Sequence, residues 1–408
     1  MSTTSAGQTA KKKGGGILGV LRIVVSIGLL ALVAWFVPWR DRLTWVENGV
    51  SWDVAGELVG DWRGERAQFR IDAEAALPAA CPPEIERAAR TREAVEVARV
   101  DTAERKVNWR PGMLRVFREL DPRGLIVALG MMSIGAVIAI SRWHRLLAVA
   151  GCATSFQNAF RLSFLGLFFN LIVPGLTGGD VVKAILVVRE NPERRADALM
   201  SVIVDRGLGL LVLIGLAAGV TLSSNESFRQ VRVPVVLTFV GILVGLWLFL
   251  NPLPRRLLRI EKILALLPQR ERVAALDRAL RVYGAHPFAM GLAVILSVAN
   301  HACLAYGLFE LAHAFGATQL GYWEILGVAS IANTISSIPI APGGWGVREG
   351  AYASLFHMLG APATLGIAVS VTFGLLSMFM GLLGGLFLLM PGGRNVRAEI
   401  EADGASTG

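Results

Sequence analysis

Residues 170–183 read Asn170-Leu171-Ile172-Val173-Pro174-Gly175-Leu176-Thr177-Gly178-Gly179-Asp180-Val181-Val182-Lys183, and an echo follows far downstream. The second stretch runs from Asn333 through Pro339 and Pro342-Gly343-Gly344-Trp345-Gly346 to Arg348-Glu349. In each, an asparagine precedes proline, a Gly-Gly pair follows, and a cation stands four residues after the second glycine. Proline ends an incoming helix by removing a donor and clashing with the preceding turn. Paired glycines permit dihedrals that other residues avoid and let a ligand approach the backbone. A second helix then starts with unpaired N–H groups and a partial positive charge, which favours an anion and phosphate above all. Lys183 and Arg348 add fixed charge one turn further in, and Asp180 suits an N-cap position. The alternative reading is a pair of surface loops in which Gly and Pro serve only as turns.

What surrounds these stretches makes the difference. Of the 408 residues, 54% are hydrophobic and only 17% charged, where soluble domains carry roughly a quarter charged residues. Mean hydropathy is +0.55. Apolar runs occur at 17–37, 124–149, 162–188, 199–222, 233–251, 288–315, 323–358 and 363–390. Most are long enough for the roughly 20 residues that cross a bilayer. The first ends in Trp35-Phe36-Val37-Pro38-Trp39, an aromatic interface anchor with no small-residue cleavage site, so it reads as a retained helix. The fold expected is an all-α polytopic integral membrane protein. The net charge of +9 falls between apolar runs, where it marks a cytoplasmic face and gives no sign of nucleic acid.

Taking the broken runs, near 162–188 and 323–358, as re-entrant hairpins that return to their own side gives a consistent topology. The segment 253–286, with eight Lys/Arg, then lies inside together with Arg142, Arg145, Arg189, Arg194, Arg195, Arg394 and Arg397. The short outer loops hold only Arg229 and Arg232. The two hairpins enter from opposite sides, the pattern of an inverted repeat with a binding site near mid-membrane. Non-helical backbone at that depth is tolerated only in protein or a wet cavity. This divides the chain into a cytoplasmic tail (1–16), a first transmembrane helix (17–37), an extramembrane, non-cytoplasmic insertion (38–122), a membrane core (123–391) and a cytoplasmic tail (392–408). Both termini are placed in the cytoplasm and the chain in the cell (inner) membrane.

Alternating patterns at 52–59, 67–71 and 95–100 predict half-buried strands in the insertion. Residues 84–93 suit one helix. Pro111 to Leu120 reads as an amphipathic surface helix with Met113, Leu114, Phe117 and Leu120 on its apolar side. Asp205-Arg206 opens an apolar run and reads either as a cavity-lining ion pair or as an interface pair. Glu310 and His313 lie one turn apart toward the outer end, as a proton relay or a solvated edge. Three cysteines form no disulfide framework, and no catalytic constellation or metal-ligand spacing stands out.

The set Arg142-Trp143, Phe168-Phe169-Asn170…Pro174…Gly178-Gly179-Asp180…Lys183, Asp205-Arg206 and Pro339…Pro342-Gly343-Gly344-Trp345-Gly346…Arg348-Glu349-Gly350 resembles the lysylphosphatidylglycerol synthase transmembrane-region family, flippase-like proteins also described as UPF0104. The resemblance covers about 17–37 and 120–390. It implies a membrane fold that moves or handles polar lipids, here without the cytosolic domain that makes the lipid in full-length synthases. The long 38–122 insertion departs from the family pattern, and Lys183 stands where arginine is as frequent.

The leading expectation is a lipid transporter that holds a phosphate-bearing head group by alternating access, with membrane lipids as partners and no cofactor. Its candidate binding residues are Asn170, Pro174, Gly178, Gly179, Asp180, Lys183, Asp205, Arg206, Asn333, Pro342, Gly343, Gly344, Arg348 and Glu349. One alternative is a membrane-embedded transferase acting on a polyprenyl phosphate or glycolipid. Another is a receptor or scaffold that uses the 38–122 module.

Overall fold

A computed structural model describes residues 38–388, with breaks at 48–49, 73–76, 78–80, 82, 103–104, 153, 173–177, 225, 252–277, 279–280 and 339–343, and three positions (28, 31 and 35) before them. The tails, the rest of the run 17–37, most of the basic segment 253–286, and Pro174, Pro339, Pro342 and Gly343 lie outside the described residues.

The insertion folds as one antiparallel sheet of six strands: β1 (Asp41–Glu47), β2 (Val50–Val59), β3 (Arg66–Ile71), β4 (Ala94–Ala98), β5 (Val100–Asp101) and β6 (Arg105–Arg110), in the order β4-β3-β2-β1-β6-β5. Period-two alternation decides which face is covered: Ala67, Phe69 and Ile71 of β3 are buried while their neighbours are exposed. Helix α1 (Pro83–Thr91) packs on β3 and β4, burying Ile85 and Ala88. Gly56 is needed because Phe69 lies over it: a Cβ there would sit 2.5 Å from the Phe69 ring.

Helix α2 (Met113–Arg118) divides its apolar residues between two faces. Met113 and Val116 are buried, whereas Leu114 and Phe117 are exposed. The reason is Asp41 beneath it. The Asp41 carboxylate, 4% exposed, accepts from the Leu58 N–H (2.7 Å), the Gly112 N–H (2.6 Å) and Arg115 Nε (2.7 Å). That anchor rotates α2 so that Met113 and Val116 complete the module, while the Phe117 ring meets Phe315 edge-on at 5.6 Å.

The remainder is helical: α3 (Pro122–Val149), α4 (Phe156–Ile172), α5 (Gly178–Glu190), α6 (Arg195–Ser223), α7 (Arg229–Leu250), α8 (Pro287–Ala314), α9 (Tyr322–Ser336), α10 (Val347–Met358) and α11 (Ala363–Gly385). Among the described residues, five helices, α3, α6, α7, α8 and α11, are long and apolar enough to cross a membrane. Their outward side chains are large and apolar, for example Leu237, Val244 and Trp247 of α7 or Ile295 of α8. An aqueous monomer rarely exposes such a surface.

The most extensive packing joins α3 to α8. Small residues bring their backbones close: a Cβ on Gly307 would lie 3.3 Å from Ala128 Cα, and one on Gly135 would lie 3.1 Å from Asn300 Oδ1. Helix α4 packs on α5 and on α11, and α9 packs on α10 and on α6. The open ends of the α4–α5 pair meet through Arg161–Glu190 (2.8 Å), close to Arg194, which reaches the Ala150 carbonyl. The open ends of the α9–α10 pair lie at the other end of the bundle, with the Ala314–Gly316 turn and the module.

Candidate functional site

Helix α5 begins at Gly178 because Gly179 has no side chain. A Cβ there would overlap the Gly166 carbonyl of α4 and lie 2.7 Å from Asn170 Oδ1. Asn170 performs the capping that the sequence had suggested for Asp180: its Oδ1 accepts from the Gly179 N–H at 2.7 Å. Asp180 falls in the first turn of α5 instead, where its carboxylate favours the partial positive charge. Asp180 Oδ2 is also 3.5 Å from Arg206 Nη1 of α6. Lys183, one turn further, stands over the Trp143 indole with Nζ 3.6 Å from the ring centroid. Trp143 is fully buried and donates its Nε1–H to Ser201 Oγ (3.3 Å).

Asp205 has a partner on another helix. Arg142 Nε donates to Asp205 Oδ1 at 2.8 Å, and Arg142 Nη1 donates to Ser297 Oγ at 2.7 Å. The two side chains are 7% and 14% exposed, so this is an internal pair between α3 and α6. Asp205 and Ser297 are each ten residues into their helices, about 15 Å from the end at 1.5 Å per residue. Gly209 leaves the space the Arg142 guanidinium fills: a Cβ there would be 3.3 Å from Nη1. Three cations (Arg142, Lys183 and Arg206) and two carboxylates (Asp180 and Asp205) therefore meet where α3, α5, α6 and α8 adjoin.

The second broken segment is built from the same elements but differs in charge. Gly344 and Gly346 adopt φ of +71° and +84°, a region that L-residues avoid. Glu349 closes the start of α10 by accepting the Gly346 N–H on Oε2 (2.6 Å). Its Oε1 accepts from Arg348 Nη2 (2.9 Å) and from Ser370 Oγ of α11 (2.9 Å). Arg348 also lies over the Trp345 ring at 4.9 Å. This is a neutral, enclosed pair, since Glu349 is 0% exposed. Asn333 is half-buried, and its main-chain carbonyl accepts from the Ser337 N–H.

Helix α11 runs past both segments. Phe164 and Phe168 of α4 pack on Gly384, and Leu171 packs on Gly381, so α4 runs antiparallel to α11 and heads toward Gly374. Trp345 and Arg348 pack on Gly374. Seven residues separate Gly374 from Gly381, about 10 Å of helix. Gly374 is also central in α11, eleven residues from either end. Among the described residues no hydrogen bond or ion pair joins the two charged groups.

Arg142, Ser297 and Ser370 belong to the site but were not among its candidate residues. Arg142 carried a signal, an arginine inside an apolar run. A serine on a membrane helix carries none by itself. The possible relay at Glu310 and His313 is not the arrangement seen: His313 Nε2 donates to the Leu320 carbonyl at 2.9 Å and holds the α8–α9 turn.

Long apolar helices around buried ion pairs define a multi-pass membrane protein. The chain belongs to the lysylphosphatidylglycerol synthase TM region family, which it matches over residues 102–385. It is 26% identical over 103 residues to a UPF0104 membrane protein of Methanocaldococcus jannaschii, covering 25% of this chain and 31% of the relative. It is 29% identical over 111 residues to a UPF0104 membrane protein of Pyrococcus horikoshii, covering 26% and 33%. The chain thus matches about a third of the length of these relatives. No solved structure matches it.

Proposed function

We propose that this protein is a lipid transporter, and that the group around Lys183 receives the phosphate of a polar lipid head group. One observation carries the reading: an ion pair, Arg142–Asp205, is held between apolar spans, with Asp205 about 15 Å from the start of α6. Each such charge costs about 2.5–3.5 kcal/mol at a helix centre, and intramembrane charges mark substrate pathways by default. The first group has one more cation than it has carboxylates. Arg206 is 57% exposed and Asp180 31%, so these charges are accessible, whereas Arg348 and Glu349 neutralise each other out of contact with solvent. The phosphate-facing residues in this reading are Lys183 and Arg206; Arg348, Glu349 and Asn170 position the two half-helix starts.

The α4–α5 and α9–α10 pairs are read as re-entrant hairpins of an inverted repeat. The reciprocal packing supports this: α4 lies on α11, the last helix of the second half, and α9 lies on α6, the last helix of the first. Rocking of one half against the other would expose the site to each leaflet in turn. An apolar cleft of about 500 Å³ between α6, α7 and α9, beside Ser337 and Ile338, offers a place for acyl chains. The end bearing Arg145, Arg189, Arg194 and Arg195 is assigned to the cytoplasm, which puts the module outside.

The test is transfer of a fluorescent anionic phospholipid across reconstituted vesicles. Lys183→Ala and Arg206→Ala should each slow it about tenfold or more, the loss of one charge-assisted contact of roughly 1.5–3 kcal/mol, with unchanged thermal melting. Wild-type rates in both variants would refute the assignment.

A further inference from the structure

Between the module and the membrane core lies a cleft of about 430 Å³, remote from the group around Lys183. One wall comes from the module, with Arg63, Arg99, Asn108 and Arg110. The other comes from the turn after α8 at Gly316 and from the α10–α11 turn, where His357 and Gly360 sit. The lining includes three arginines and a histidine but no aspartate or glutamate. Because both core turns are ends of apolar helices, the cleft lies at the level where a bilayer presents its head groups.

The arginines are set in place. The Arg99 guanidinium lies over the Trp109 ring at 4.8 Å and donates from Nη2 to the Trp62 carbonyl at 3.4 Å. Trp109 and Trp62 are themselves buried, and Trp109 Nε1 donates to that same carbonyl at 2.7 Å. The Arg63 guanidinium lies over Trp62 at 5.0 Å and against Gly316, where a Cβ would come 2.7 Å from Nε. Arg63 Nη1 is shared between two carboxylates, Glu119 at 3.6 Å and Asp61 at 3.8 Å, neither of which lines the cleft. Among the described residues, no carboxylate lines the cleft beside Arg99 and Arg110. Burial lowers the pKa of Arg99 with no opposing charge to restore it. Stacking on Trp109 and Trp62 holds the Arg99 and Arg63 guanidiniums in a fixed plane, and a planar fork suits pairing with phosphate through the N–H groups left over.

We infer that the cleft between the module and the core binds a phosphate group, carried by an anionic phospholipid of the adjacent leaflet or by a soluble phosphate ester. The inference does not depend on transport, because it uses neither Lys183 nor the broken segments. It gives the insertion a role: the module supplies the cationic wall and the core supplies the turns at the membrane surface.

The experiment is native mass spectrometry of the full chain in detergent, titrated with phosphatidylglycerol, with diacylglycerol of the same acyl chains, and with inorganic phosphate as competitor. The background is Lys183→Ala, so that binding at the membrane site is weakened equally throughout. Phosphatidylglycerol should bind about tenfold more tightly than diacylglycerol, and Arg99→Gln with Arg110→Gln should abolish that preference at unchanged melting temperature. Competition by millimolar phosphate assigns the cleft to a soluble ester, and lack of competition assigns it to the lipid. If the paired variant keeps the full preference, or if neither phosphatidylglycerol nor phosphate binds, the inference is overturned. Arg110→Gln alone, at an exposed residue that leaves Arg99 stacked on Trp109, serves if the paired variant fails to fold; it should weaken binding, and unaltered affinity would count equally against the cleft.

Discussion

Asp205→Ala should destabilise the protein sharply, and a second change should undo the damage. With Asp205 gone, Arg142 keeps only Ser297 Oγ (2.7 Å) as partner and holds its charge between apolar helices at 7% exposure. Breaking one side of such a pair costs about 3–5 kcal/mol, because an uncompensated charge stays buried. Replacing both members by apolar residues of similar volume removes two desolvation penalties and is neutral or stabilising by about 1–4 kcal/mol. Unfolding in mixed micelles is therefore followed for Asp205→Ala and, as a closed double-mutant cycle, for Asp205→Leu, Arg142→Met and the two combined. The expected coupling energy is at least about 3 kcal/mol, with the double variant close to wild type. If the double variant loses the sum of the two single losses, the pair is not a closed internal contact, and the reasoning from its burial fails.

Gly179→Ala should destabilise by at least about 1–3 kcal/mol through overpacking against the Gly166 carbonyl, measured by the same unfolding. Gly207→Ala, where nothing lies within 4 Å of the new Cβ, should be neutral or gain up to about 1 kcal/mol. In the module, Asp41→Ala leaves the Leu58 and Gly112 N–H groups and the Arg115 guanidinium without their acceptor. The expected cost is about 3–5 kcal/mol, seen as hydrogen exchange rising across β1, β2 and α2 but not across α3 and α8.

How far the sequence leads depends on which forces are local. Spans were legible because bilayer thickness sets their length and lipid demands apolar side chains along all of it. Strands β2, β3 and β4 were legible from alternation. Strands β1 and β6 were missed because charge breaks the pattern: Asp41 stands on the covered face of β1, and β6 buries only Val107 and Trp109 among Arg105, Lys106, Asn108 and Arg110. On α2 the exposed apolar pair Leu114 and Phe117 agrees with the surface reading, whereas the burial of Met113 depends on Asp41, more than seventy residues upstream of Arg115, and no spacing within 111–120 contains that information. In the site, Asn170 and Gly179 were each legible as candidates within one segment, but the cap that joins them was assigned to Asp180. The partnership of Asp205 with Arg142 and Ser297 spans three helices, so residue identity suggested an ion pair but could not name the partner.

The two broken segments meet one physical requirement by different chemistry. A helix that starts among other helices must supply acceptors for its first N–H groups. At α5 the acceptor is the neutral Asn170 amide, taken from the preceding helix. At α10 it is Glu349, taken from the helix itself, and that carboxylate then requires Arg348 beside it. The glutamate solution leaves no net charge. The asparagine solution leaves the charge of Lys183 and its neighbours unspent by capping, so an anion gains more at the first segment than at the second. Exchange of capping chemistry is thus the informative perturbation: Asn170→Asp adds a carboxylate 2.7 Å from the Gly179 N–H, strengthening the cap while cancelling the excess positive charge. A variant that melts no lower than wild type yet transfers an anionic lipid about tenfold more slowly would separate the two roles. Unchanged transfer would mean that the charge balance around Lys183 does not govern substrate.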